Sequence, residues 1–280
     1  MGARSASDQG PTMWKSDAMR VLGIAVEEEL LGQWRGWFAP RHQPFRVDRL
    51  APGLGQSLPP PGSDRRVTAE HRDTFFMYGG TWVWIDEESF RQLPASARRA
   101  LMVERRRVSH PKPSPCWPSR LEKEGDVRMV RWVEAGVRPS RHESVSAATW
   151  RRAATTVPEA RRLAGTFAAK SGPNCFGTVM AAAGVIEAES TWMLQEPFSQ
   201  WLTERTEPVR GTSQDAVPGT VLVWHENDQL AHAAITIGDG WALSKPSQSW
   251  SSPTMVWTVR ESINSWRLPG TRLSRHRLKH

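Results

Sequence analysis

Apolar positions in this chain fall into short runs, and their spacing changes character along it. In residues 17–38, Val21, Leu22, Ala25, Leu30, Leu31 and Trp34 recur at spacings near three and four, which predicts a helix. Residues 74–78 and 81–85 are aromatic and β-branched runs around Gly79-Gly80, the pattern of a hairpin. Asp86 then caps a predicted helix running to about Arg107, ended by His110-Pro111. Residues 127–133 read as a strand, and 146–169 as mostly helical with a break near Pro158. The proline- and glycine-rich stretch 51–63 and the proline-rich 108–120 read as loops.

The second half has a clearer order. Helices are expected at 175–186 and 190–202, the latter interrupted at Pro197. Strands follow at 220–225, 231–237, 241–244 and 255–259, with a turn at Gly238-Asp239-Gly240. There is no internal repeat.

Composition narrows the class without naming a function. The chain has 280 residues with 39% hydrophobic and 24% charged positions, enough to bury a sizeable core. Fifteen Trp stand against one Tyr, for which the sequence offers no physical account. No window approaches about 18 uninterrupted apolar residues, so no membrane span is expected. The N-terminal residues 1–16 are small, polar and expected to be loose. The apolar stretch 21–26 is too short for a signal-peptide core and runs into Glu27-Glu28-Glu29, so an unexported, cytoplasmic protein is expected.

Charge is distributed unevenly around a net of +8. Residues 98–162 carry 16 basic against 7 acidic groups, whereas 163–266 carry 5 against 10. The tail 267–280 has 5 basic groups and no acidic one. Such asymmetry suggests an anionic partner, such as tRNA or an acidic carrier, beside the alternative of a solvated helix face and a frayed tail. No base-reading motif accompanies it.

Two cysteines, Cys116 and Cys175, argue against a disulfide scaffold, the alternative being that the two pair with each other. The histidines form no close ligand pair, so neither a metal nor another cofactor is expected. Cys175 is the chemically suggestive residue. It follows Ser171-Gly172-Pro173-Asn174 and opens the predicted helix 175–186, where free N–H groups and the helix dipole favour a thiolate. A nucleophilic thiolate needs a base and a group that orients the base. His232, at the start of a predicted strand, is the candidate base; the alternatives are an inert buried thiol and a structural histidine. His225 reads as structural.

Three motifs in order resemble the NlpC-like cysteine peptidases over roughly residues 165–260. Asn174-Cys175-Phe176-Gly177 stands where that family carries DCSG. Val217-Pro218-Gly219-Thr220-Val221-Leu222-Val223-Trp224 is similar to its PGDLVFF strand, and His232-Ala233-Ala234-Ile235-Thr236-Ile237-Gly238-Asp239-Gly240 to its HVGIYLGNG strand and turn. The resemblance implies an α+β, papain-like fold with a helix packed on an antiparallel sheet. It implies Cys175 as nucleophile and His232 as general base, with Ser244 at the third position usually held by His. Gln248 is the alternative orienter. The chain departs from the family pattern at Asn174, Phe176 and Ser244.

The expected organisation is an N-terminal α+β region over 1–145, a papain-like domain over 146–266 and a basic tail over 267–280. The basic segment 98–162 runs from the first into the second. The expected activity is a cysteine-dependent hydrolase or acyltransferase, acting on an amide, ester or thioester of a peptide or small-molecule substrate. The alternative is a non-catalytic binding protein on a degenerate papain-like scaffold that engages an anionic partner.

Overall fold

The computed structural model describes residues 19–51, 53, 54, 58–60 and 67–279; the expected loose N-terminus and much of the 51–63 loop lie outside them. The class is mixed α+β. The chain opens with a short hairpin, β1 (Arg20–Val21) and β2 (Ile24–Ala25), and helix α1 (Glu28–Phe38). The helix expected from 17 onward thus begins at Glu28, because Gly23, at φ +78°, carries a turn before it.

Strand β3 (His42–Arg46), helix α2 (Ala69–Phe75) and strand β4 (Trp82–Asp86) come next. The expected hairpin about Gly79-Gly80 does not form. Its first arm is the end of α2, and β4 pairs with β3 instead. Thr68 caps α2 by accepting from the His71 N–H, so the helix is nucleated upstream of the apolar run.

Helices α3 (Glu87–Gln92) and α4 (Ala95–Ser109) replace the single helix expected from 87 to 107. Pro94 separates them, since the residue before proline is steered out of the helical region. Leu93 accordingly has ψ 150°. Then come α5 (Pro118–Glu124) and α6 (Val127–Glu134). The strand expected at 127–133 is a helix; its buried positions are Met129, Trp132 and Val133, a spacing of three and four.

Helices α7 (Ala147–Ala153), α8 (Ala160–Leu163), α9 (Cys175–Ala182) and α10 (Gln195–Arg205) precede the main sheet. Its strands are β5 (Thr206–Val209), β6 (Thr220–Glu226), β7 (Gln229–Gly238), β8 (Trp241–Ser244) and β9 (Met255–Thr258). Helix α11 (Val259–Ser265) and β10 (Thr271–Leu278) complete the chain. The sheet order is β5-β10-β6-β7-β8-β9, antiparallel throughout. The segment expected to be a frayed basic tail is therefore a strand second from one edge. On it, Arg275 forms a two-pronged ion pair with Asp215 at 2.7 and 2.9 Å.

Each face of this sheet has its own core. On one, Val221, Val223, Ala233, Ile235, Ile237 and Leu243 pack against α7 to α10. On the other, Leu222, Trp224, Ala234 and Ala242 meet Val259, Ile263 and Trp266. Burial of both faces explains why β6 and β7 read as continuous apolar runs. A third core joins the first part of the chain to the sheet. Trp34, Phe38 and Trp132 pack with Trp250, Met255 and Trp257, and the Trp132 and Trp250 rings stack at 5.3 Å. Part of the tryptophan excess thus serves as packing between the regions before and after residue 145.

Candidate active site

Helix α9 starts where its sequence says it should. Asn174 has extended backbone, and its Oδ1 accepts from the Gly177 N–H at 3.1 Å. Its Nδ2 donates to the Met193 carbonyl at 2.7 Å, tying the cap to the following loop. All eight residues of α9 are buried. Gly177 lets the helix approach the 188–191 segment, because a Cβ there would lie 2.3 Å from the Ala188 carbonyl oxygen.

Cys175 is the first residue of this helix and is 8% exposed. The N–H groups of Ala233, Phe176 and Cys175 itself favour its anionic form, as does the charge of Lys245. Burial outweighs all of these and pushes the thiol up to about 11. Cys175 and Cys116 are both free and buried.

His232 is buried too, but on the other face of the sheet. Along β7, Ala233, Ile235 and Ile237 face α9, and His232 alternates with them on the side of Ala234. Its ring stacks on Trp266 with centroids 4.1 Å apart and meets Trp224 at 5.3 Å. Its Nε2 shares a 3.0 Å hydrogen bond with the Ser244 hydroxyl. The base and the third residue expected from the sequence are thus together, one strand apart, but the thiol lies across the sheet from them. Burial drives the imidazole down to about 3, so it is neutral at physiological pH.

Gln248 contributes through its backbone: its carbonyl accepts from the Gly172 N–H at 2.9 Å, joining the 245–252 loop to the segment before Cys175. His225 shares a 3.0 Å bond with Ser274 of β10.

The charged partner in the field of Cys175 is Lys245. It follows Ser244 and so falls on the Leu243 side of the sheet, the side of α9. It is 2% exposed. Its Nζ donates to the Ser249 and Ser252 carbonyls. Burial brings the amine down to about 7, against opposing pulls from Cys175 and Asp73. A buried lysine tuned to that range is half neutral near pH 7 and able to accept a proton.

Asp73 comes from α2, in the first part of the chain. Its side chain is almost fully buried. Oδ1 accepts from the Tyr78 hydroxyl at 2.7 Å, while Oδ2 is buried without a hydrogen-bond partner. Helix α2 grips both segments that carry the site. The Ser171 N–H donates to Glu70 at 3.1 Å, and the Trp250 indole donates to Thr74 at 2.9 Å.

Asn174 and Phe176, flanking the thiol, line a cleft of about 520 Å³ with Trp192, Gln195, Gln229 and Trp266. Cys175 itself is not among the lining residues. Among the described residues, no group of three His, Cys, Asp or Glu side chains is placed to hold a metal ion, and no helix is long and apolar enough to cross a membrane.

Sequence reasoning named Ser244 and passed over the residue beside it. The available signal was strand alternation: in Leu243-Ser244-Lys245, the lysine shares a face with Leu243. Asp73 had no such signal, since only tertiary docking of α2 brings it near. No protein-family model matches the chain, and neither the curated proteins nor the solved structures yield a match.

Proposed function

We propose that this protein is a thiol-dependent enzyme of acyl chemistry on a papain-like, NlpC-type scaffold, cleaving or transferring an amide, ester or thioester. Cys175 is the nucleophile, and Lys245, rather than His232, is its base. What supports the reading is that the thiol opening α9 and the buried Lys245 amine, lowered by burial to about 7, each feel the other's charge. Neutral Lys245 takes the thiol proton as sulfur attacks the acyl carbon. Backbone N–H groups around the sulfur stabilise the negative oxygen that forms. The protonated amine then returns its proton to the leaving group, and water or a second acceptor releases the acyl-enzyme.

Alkylation of Cys175 with iodoacetamide across pH 5–10 tests this. Base assistance gives a rate that inflects near 7, and Lys245→Met removes the inflection and slows labelling at pH 8 by about tenfold or more. A rate that climbs only toward pH 11, unchanged by Lys245→Met, overturns it.

A second reading rests on the high thiol pKa and on His232 lying across the sheet: a binding protein on a scaffold of this kind that has lost its base. It gives the second outcome above.

A further inference from the structure

A second cavity shares no lining residue with the cleft beside the thiol. It occupies about 390 Å³ between the end of α4, the 110–117 loop and helices α5 and α6. Arg105, Arg106, Lys112, Arg120 and Arg128 line it together with His110, and among the described residues no carboxylate does.

Arg105 is built into the protein interior and Lys112 is half-buried. Arg105 is 7% exposed, its guanidinium donating to the Gln43 side chain at 2.6 Å and the Pro44 carbonyl at 2.9 Å, 3.7 Å from the Phe45 ring centre. Lys112 donates to the Trp132 carbonyl at 3.1 Å, 4.3 Å from the Trp132 ring centre. Neither has a carboxylate partner among the described residues, and burial pulls Arg105 down to about 9 and Lys112 to about 8. Glu104, next in sequence to Arg105, turns to Arg107 instead, at 2.6 and 2.8 Å. Glu124 partners Arg120 at 2.6 Å and Arg128 at 3.4 Å, but Arg128 Nε remains buried without a partner. Arg106 is exposed, and its side chain makes no ion pair among the described residues.

Buried, fixed cations without counter-charge are costly unless an anion joins them. Guanidinium forks suit the oxygens of phosphate, and the volume matches a small-molecule site. We propose that this cavity binds a phosphate-bearing ligand the size of a nucleoside diphosphate. The proposal is independent of the chemistry at Cys175.

The test is isothermal titration with pyrophosphate, ADP and tRNA at low salt, on the parent and on the Arg106→Gln/Arg128→Gln variant. That variant leaves Arg105 and Lys112 in place, and circular dichroism checks its fold. Saturable binding of pyrophosphate or ADP, weakened about tenfold or more in the folded variant, supports the site. Binding of tRNA that pyrophosphate displaces assigns the same site to a nucleic-acid phosphate. Absence of pyrophosphate and ADP binding, or binding that the variant leaves unchanged, overturns the proposal.

Discussion

His232 sits neutral against an indole ring, and that governs how the protein meets acid. Unfolded, its imidazole takes a proton near 6.5; folded, only near 3. Between those values the unfolded chain binds the extra proton, so stability falls as pH falls, by about 1.4 kcal/mol per unit. Above 6.5 both states are neutral and the residue adds no pH dependence. His232→Phe should therefore flatten the fall in urea-unfolding free energy between pH 6 and pH 4. It should also cost some stability at pH 7, since the buried Ser244 hydroxyl loses its partner. An unchanged acid slope would contradict the neutral, buried imidazole. At this scale the sequence placed Cys175 at a helix start, where it stands, because helix starts are local and Asn174 caps this one. It also brought His232 and Ser244 into one neighbourhood, since neighbouring strands in a hairpin pair in register. The face each side chain takes was not visible in motif order. A period of two separates residue 232 from 233, and matching motifs by position does not register it.

The helix that carries the thiol shows how an element can be fixed by its neighbours. Gly177 has no room for a methyl group against the Ala188 carbonyl. Gly177→Ala should force α9 away from that backbone and destabilise the protein by about 1–3 kcal/mol, read as a lower urea midpoint. A variant as stable as the parent would mean the 188–191 segment yields easily. Elements were legible where one local signal dominated: the cap at Asp86, and the apolar runs of β6, β7 and β8. They were missed where two signals competed. Residues 127–133 contain valines and a tryptophan that suit a strand, yet Met129, Trp132 and Val133 sit at helical spacing. The arm at 74–78 looked like a strand, but Thr68 had already started a helix.

Across the whole molecule, the regions before and after residue 145 are joined by indole packing and by α2. Their contact brings Asp73 toward Lys245, a relation no local pattern encodes. Strand β10 is the other long-range surprise, because charge alone made 267–280 look solvated. It pairs with β5 on one side and β6 on the other. Removing residues 271–280 should leave β5 without a partner and expose the edge of β6. The truncated protein should lose its cooperative thermal transition and aggregate, while a sharp transition near that of the parent would show that β10 is dispensable.

That position in the sheet sets a timetable. Strands β5 and β6 leave the ribosome well before β10, which must slot between them. Until residue 278 emerges, β5 has no partner in this sheet and β6 has only β7. The gap between them invites wrong pairing throughout synthesis. The main sheet is closed by the last of its own six strands to be made, so it cannot be complete before residue 278 has emerged.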